Sequence, residues 1–404
     1  MASNGKTRIA FLTGGGLAPC LSASIGSLIQ RYNELAPDSE MMGYLNGYRG
    51  LLLGRQIPIT PPVREQAHLL LKFGGSPIGN SRVKLTNVED CVQRGYVKEG
   101  EDPLQVAARQ LIQDQVTILH TIGGDDTNTM AGKLSAYLLE SGYDLTVVGM
   151  PKTVDNDVYP VAQTLGAWTA AEQGAIFFEN IANENTTSTR QLIIHEVMGR
   201  HCGWLTAATA RIYRDRLKKK TFLPEILLAR ERWDLDGVYL PELSLNMDHE
   251  SERLSERMEK KDGVNIFLSE GAGIDTIVAM KEAGGEKVER DPFGHVKLDL
   301  LDPGEWFADQ FSQRLGAEKV LVQKSGYFAR SAAPNEKDLD LIMRTGKLAA
   351  QRALEGKSGV VALDEEKNGE LRLIEFSRIR GGKPFDMKTA WFQELLGDIG
   401  QLHN

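Results

Sequence analysis

Short apolar runs of strand length alternate with longer stretches in which apolar residues recur every three or four positions, and this alternation continues along most of the chain. Arg8 to Leu12 reads as a strand, and Leu21 to Tyr32 as a helix with Ile25, Leu28 and Ile29 on one face. Glu40 to Tyr44 is a second strand, and Pro62 to Phe73 is helical, with Pro61 and Pro62 at its start. Pro103 to Gln113 is a further helix. Strand 116–122, helix 126–141 and strand 145–149 then form a βαβ unit with a parallel pair.

A second series starts near residue 166. It holds helix Ala167 to Ile181, strand Leu192 to Val197, helix Leu205 to Ile212 and a short strand from Glu225 to Leu228. A charged amphipathic helix follows from Asn246 to Lys261, then strands Val264 to Ser269 and Val320 to Gln323. The tail carries helix Glu336 to Leu354, strands Val360–Leu363 and Leu371–Phe376, and a last helix from Lys388 to Leu396. Segments 213–223 and 281–305 are charged and glycine-containing and read as surface insertions.

The pattern predicts an α/β protein of two Rossmann-like three-layer α/β/α domains with mainly parallel sheets and an active site in the cleft between them. The first domain would span 1–165 with about 331–385. The second would span 166–330 with about 386–404. The length of 404 residues fits two cores better than one.

A 41% hydrophobic and 25% charged composition is ordinary for a globular chain, and the formal net charge of −8 argues against nucleic acid or an anionic membrane surface as partner. It leaves an anionic small substrate open, because such a site needs only local positive charge. Cys20, Cys91 and Cys202 form no CxxC pair and no zinc spacing, and read as buried thiols of a reducing compartment. No run approaches the ~18–20 apolar residues of a membrane span, and no signal segment opens the chain, so a cytoplasmic protein is expected.

Candidate chemistry sits directly after the strands, where open α/β sheets bind ligands. Thr13-Gly14-Gly15-Gly16 between strand and helix is a phosphate-cradle arrangement, though neither a Walker A loop nor GxGxxG. A plain tight turn explains it equally well. Gly123-Gly124-Asp125-Asp126 places two carboxylates at a helix start; a helix cap would account for one acid, a metal–phosphate site for both. Lys152, Thr153, Asp155, Asn156 and Asp157 form a denser cluster after the next strand. Asp155 is the candidate general base for a sugar hydroxyl, with Lys152 and a metal neutralising charge. A local Asx-turn would explain one of these residues but not the set. Arg82, Arg200 and Arg330 each follow a glycine-containing stretch and could fork a phosphate, although any one alone fits a surface ion pair. His195 and His201 lack metal spacing and read as scaffold, and Glu270 at a strand end could accept sugar hydroxyls or cap a helix.

At these residues the chain resembles the 6-phosphofructokinase family, within it the pyrophosphate-dependent branch. Gly123-Gly124-Asp125-Asp126 is similar to the family's magnesium–phosphate loop, Lys152-Thr153-Val154-Asp155-Asn156-Asp157 to its catalytic loop, and Met198-Gly199-Arg200 before Cys202-Gly203 to its sugar-phosphate loop. The resemblance implies that Asp125 holds Mg²⁺ and that Asp155 deprotonates the 1-hydroxyl of fructose 6-phosphate. It places Asp126, Lys152, Thr153 and Asp157 around that step. On the sugar side it implies Thr153, Val154, Met198, Gly199, Arg200 and Glu270, with Tyr327, Phe328, Ala329 and Arg330 at the 6-phosphate. Gly15, Gly16, Arg82, Gly124 and Lys152 would hold the donor.

ATP-using relatives carry glycine at the positions of Asp126 and Lys152. A carboxylate and a lysine there would fill the room needed by a nucleotide and favour compact, highly charged pyrophosphate. Two arginines of the family's sugar site align with Gln191, next to Arg190, and near Lys324. The resemblance also implies a homo-oligomer, a dimer first. The rival readings are an ATP-dependent enzyme of the same fold, a GGD-type kinase acting on NAD or a lipid, and a non-catalytic subunit that keeps the fold.

Overall fold

The computed structural model describes residues 7–289 and 301–401. The chain divides into two compact units, 1–169 with 330–383 and 170–329 with 384–404.

The first unit is built on a seven-stranded sheet in the order β11-β10-β5-β4-β1-β2-β3. Its strands are β1 (Arg8–Thr13), β2 (Glu40–Tyr44), β3 (Gln56–Pro58), β4 (Ile118–Gly123), β5 (Thr146–Pro151), β10 (Gly359–Asp364) and β11 (Glu370–Ile374). The five inner strands pair in parallel, while β3 and β11 run antiparallel at the two edges. The inner strands are apolar on both faces because both are covered. Ala10, Leu12, Met42, Tyr44, Leu119 and Val147 pack with Leu111, Leu134 and Leu138 of helices Pro103–Gln113 and Asp125–Glu140. On the opposite face Phe11 stacks on His120, which takes a hydrogen bond of 2.7 Å with Tyr32 Oη of helix Leu21–Leu35. Burial pushes the His120 imidazole down to about 4, so this residue is a neutral core group.

The second unit holds an all-parallel sheet, β7 (Gly237–Tyr239), β8 (Gly263–Ser269), β6 (Gln191–Val197) and β9 (Lys319–Lys324), in that order. Phe178, Ile193, Tyr213 and Phe267 fill one face, and Ile194, Ile266, Phe307 and Phe311 the other. Phe178 is the hub of its layer: its ring stacks on His195 at 5.3 Å and meets Phe267 edge-on at 4.7 Å. Such aromatic pairs contribute about 0.5–1.5 kcal/mol beyond area burial.

Several expectations need correction. Pro62 to Phe73 is a five-residue helix, Pro61–Glu65, followed by a 3₁₀ turn, Ala67–Lys72. That turn packs closely on Gly26 of helix Leu21–Leu35, where an added Cβ would stand 2.9 Å from Ala67 O. Glu225 to Leu228 is not a strand. Pro224–Ile226 is a single 3₁₀ turn ended by Leu227 in the left-handed conformation at φ 69°. Ile226 and Leu227 are exposed, so the apolar run has no sheet to join. Residues 213–217 complete helix Trp204–Leu217, and 281–283 and 303–305 belong to helices Ile274–Ala283 and Pro303–Leu315 rather than to an insertion. Residues 290–300 of that predicted insertion lie outside the described residues.

Candidate active site

In the first unit the ends of β1, β4 and β5 converge. Main-chain bonds stitch them together: Gly14 N to Ile122 O at 3.0 Å, Lys152 N to Gly123 O at 2.9 Å, and Gly15 N to Ser81 O at 2.9 Å. The glycine turn after β1 is tight because Gly15 adopts φ +83°, which favours glycine. Lys152 crosses this turn. Its Nζ donates to Gly16 O at 2.5 Å and lies 3.1 Å from where a Cβ on Gly15 would be. Arg82 reaches the same place: its Nη2 is 3.6 Å from the position of a Cβ on Gly16. Gly15, Gly16, Arg82, Gly124 and Lys152 are therefore one cluster, in which missing side chains bring main-chain groups close to two cations.

Lys152 is 3% exposed. Burial lowers its ammonium to about 8, against the partial support of the Cys20 thiol, Asp155 and Asp157. A cation held where it is poorly solvated is poised to gain from a phosphate.

Asp126 is exposed and pairs with Lys84 Nζ at 2.6 Å. The sequence reading missed Lys84. The pair also changes the picture of Asp126: its charge is balanced by a lysine.

The catalytic-loop candidate is stapled shut by its own polar side chains. Asn156, in the left-handed region at φ 55°, accepts from Thr164 N at 2.8 Å. Thr164 Oγ1 donates to Thr153 O at 2.8 Å, and Asp155 N donates to Thr153 Oγ1 at 3.1 Å. Val154 is buried and anchors the turn. The local turn chemistry foreseen as a competing explanation is present in Thr153 and Asn156, and Asp157 shares in it through the Thr153 hydroxyl and its own backbone.

Asp157 lies close enough to Asp125 to feel its charge. Burial first, then the Asp125 charge, push the Asp157 carboxyl above the usual range, while its own backbone, the Thr153 hydroxyl and the Lys383 ammonium pull it down. Two hard oxygen donors that repel suit a divalent cation completed by phosphate oxygens and water. No cluster of three or more His, Cys, Asp or Glu able to hold a metal exists among the described residues. The donor set therefore fits a metal that arrives with phosphate better than a resident, fully protein-ligated one.

In the second unit the ends of β6, β8 and β9 gather Met198, Gly199, Arg200 and Glu270 with Gly326. Gly199 has φ +135°, Glu270 N donates to Val197 O at 2.9 Å, and a Cβ on Gly271 would stand 1.9 Å from Arg200 O. A Cβ on Gly326 would lie 3.0 Å from Met198 Cγ. Tyr327 is 80% exposed and Phe328 packs on Phe177 at 5.7 Å between ring centres. The short helix Gly326–Arg330 carries Ala329 inward, and Arg330 already belongs to the first unit. His195, beneath this loop, shares a hydrogen bond with Ser325 Oγ at 2.7 Å and is pushed by burial down to about 3.

The aligned arginine positions are structurally committed. Gln191 is fully buried. Arg190 bonds Gly316 O at 2.8 Å and Glu259 at 2.7 Å. Lys324 pairs with Asp302 at 2.8 Å and Glu196 at 3.2 Å.

A family model described as phosphofructokinase matches residues 8–353. The chain is 57% identical over 398 residues to the pyrophosphate--fructose 6-phosphate 1-phosphotransferase of Methylotuvimicrobium alcaliphilum, spanning 98% of this chain and 97% of that one. It is 54% identical over 394 residues to the protein of the same name from Propionibacterium freudenreichii subsp. shermanii, spanning 98% of each. The crystal structure of a pyrophosphate-dependent phosphofructokinase from Marinobacter aquaeolei superposes with a TM-score of 0.71 at 20% identity, over 98% of this chain and 92% of that one, and so shares its fold.

Proposed function

We infer that this chain, which belongs to the phosphofructokinase family, transfers a phosphoryl group from pyrophosphate to fructose 6-phosphate, giving fructose 1,6-bisphosphate and phosphate. The observation that carries the choice of donor is the buried Lys152 ammonium lying over Gly15 and Gly16. A nucleotide needs room and an apolar wall at the inner end of the phosphate site. Here that end holds a cation, with the Lys84–Asp126 pair in the same unit.

The residue roles follow as our reading. Asp155 accepts the proton of the C1 hydroxyl as its oxygen bonds the terminal phosphorus; the bridging P–O bond breaks and phosphate leaves with the electron pair. Thr153 and Asn156 hold the Asp155 turn rigid, so that the carboxylate waits in place. Lys152, Arg82 and the Gly15–Gly16 and Gly124 main chain orient the donor. Asp125, with Asp157 near it, would hold a divalent ion, for which we propose Mg²⁺; it would neutralise donor charge. Thr153, Val154, Met198, Gly199, Arg200, Glu270 and the Tyr327, Phe328, Ala329 and Arg330 stretch are proposed for the sugar phosphate. We also propose a homodimer and a cytoplasmic location, the latter supported by three buried cysteines that form no disulfide. No described helix is long and apolar enough to cross a membrane.

Initial rates of the purified protein with fructose 6-phosphate test the reading. Turnover with pyrophosphate and Mg²⁺ is expected; turnover with ATP alone as effective donor would reject it.

A further inference from the structure

The segment from Arg380 to Lys383 comes from the far end of the chain, after β11, and carries no motif used above. In the fold it runs antiparallel beside the 157–161 stretch. Tyr159 N donates to Arg380 O at 2.8 Å, Arg380 N donates to Tyr159 O at 3.1 Å, and Lys383 N donates to Asp157 O at 2.9 Å. The Arg380 guanidinium lies 4.4 Å from the centre of the Tyr159 ring, and Lys383 Nζ bonds Val161 O and Glu365. The segment is therefore fastened on both sides of Gly381. A Cβ built on Gly381 would stand 2.0 Å from Asp125 Oδ2 and 2.6 Å from its Cγ. The Asp125 carboxylate thus occupies the place a side chain on Gly381 would take. Gly381 is not among the residues of positive φ, so it is space, not backbone conformation, that calls for glycine there.

We propose that Gly381 is a positioning residue of the metal–phosphate site: by lacking a side chain it leaves the Asp125 carboxylate in its present direction, and so sets metal affinity. Because the backbone on either side of Gly381 is pinned, a methyl group added there cannot retreat. The freely rotating partner, the Asp125 carboxylate, must turn away instead. A ligand turned from its direction loses metal affinity by about 10–100-fold. Gly382 is the built-in contrast. It has φ +78° and no atom within 4 Å of a would-be Cβ, so alanine there strains the backbone but touches no ligand.

The inference rests on Asp125 being a metal ligand, and the test separates the two. Mn²⁺ binding is measured by electron paramagnetic resonance on the full-length protein with pyrophosphate and no sugar, so that nothing turns over. Asp125→Ala should weaken Mn²⁺ binding at least tenfold; if it does not, the ligand reading of Asp125 fails. Given that result, Gly381→Ala should weaken binding about 10–100-fold. Gly382→Ala should leave it within about twofold of wild type while lowering thermal stability. In the double variant Gly381→Ala with Asp125→Ala, the two effects on Mn²⁺ should not add. Wild-type Mn²⁺ affinity in Gly381→Ala, or equal losses in the two glycine variants, overturns the proposal. Should Gly381→Ala prove too unstable to purify, adding Asp125→Ala should restore stability by removing the atoms the methyl meets; a double variant as unstable as the single overturns it too.

Discussion

Replacing Lys152 by methionine should make the free protein more stable and a poorer enzyme at once. The side chain is 3% exposed, and burial holds its ammonium near 8 against an ordinary 10.5. At 1.36 kcal/mol per unit, the buried ammonium is disfavoured by about 3 kcal/mol relative to the amine. The folded value lies below the unfolded one, so the unfolded chain holds the extra proton between pH 8 and 10.5, and wild-type stability rises across that window. Below pH 8 the full penalty is present. Methionine removes it but also removes the Nζ–Gly16 O bond at 2.5 Å, worth about 1 kcal/mol. The expected net gain at pH 7 is about 2 kcal/mol, a rise of several degrees in melting temperature without ligand. The gain should vanish and turn slightly negative by pH 10.5. In the same variant kcat/KM for pyrophosphate should fall about 10²–10³-fold, the usual loss of one buried electrostatic contact to a reacting group. Calorimetric melting at pH 7 and pH 10, with initial rates alongside, checks both halves. A variant that melts lower than wild type by the same amount at both pH values would show that the ammonium is not strained in the empty site, and would refute the reasoning.

Other outcomes follow from the same geometry. Asp155→Ala should lower kcat by at least about 10³-fold while pyrophosphate binding, measured by calorimetry, is kept; near-normal kcat would remove Asp155 as the base. In wild type, the KM for pyrophosphate should rise above pH 8, as Lys152 in the free protein loses its proton, and a flat profile to pH 9.5 would contradict this. Lys84→Met, which frees Asp126 from its 2.6 Å partner, should raise the KM for pyrophosphate more than that for fructose 6-phosphate, and the reverse pattern in initial rates would count against Lys84. Gly271→Ala must displace the Arg200 carbonyl, 1.9 Å from the new atom, so the KM for fructose 6-phosphate should rise with kcat less affected. An unchanged KM would detach Arg200 from the sugar.

The sheet strands that frame the site were legible because they are short apolar runs ending in glycine or a charge. Strand 116–122 and helix 126–141 lie within two residues of Ile118–Gly123 and Asp125–Glu140. Where sequence reading failed, tertiary context decided. The Ile226–Leu228 run looks like a strand, yet neither its neighbours nor its left-handed Leu227 offer it a sheet. β7 has only three residues, too few for a period to show. The glycine turn, the acids and Lys152 could be named as candidates because each follows a strand, and parallel strands bring their ends together. Lys84 was hidden because its meaning lies in Asp126, 42 residues on, and Gly381 because its neighbour Asp125 lies 256 residues back. Contacts of that range leave no periodicity and no motif.

The claim at the centre of the account is that Asp126 and Lys152 set the choice of donor. The double substitution Asp126→Gly with Lys152→Gly tests it, read as the ratio of kcat/KM for ATP to kcat/KM for pyrophosphate. That ratio should rise by orders of magnitude as the inner phosphate site opens and loses its cation. A double variant that keeps the wild-type ratio, however active it remains, would contradict it.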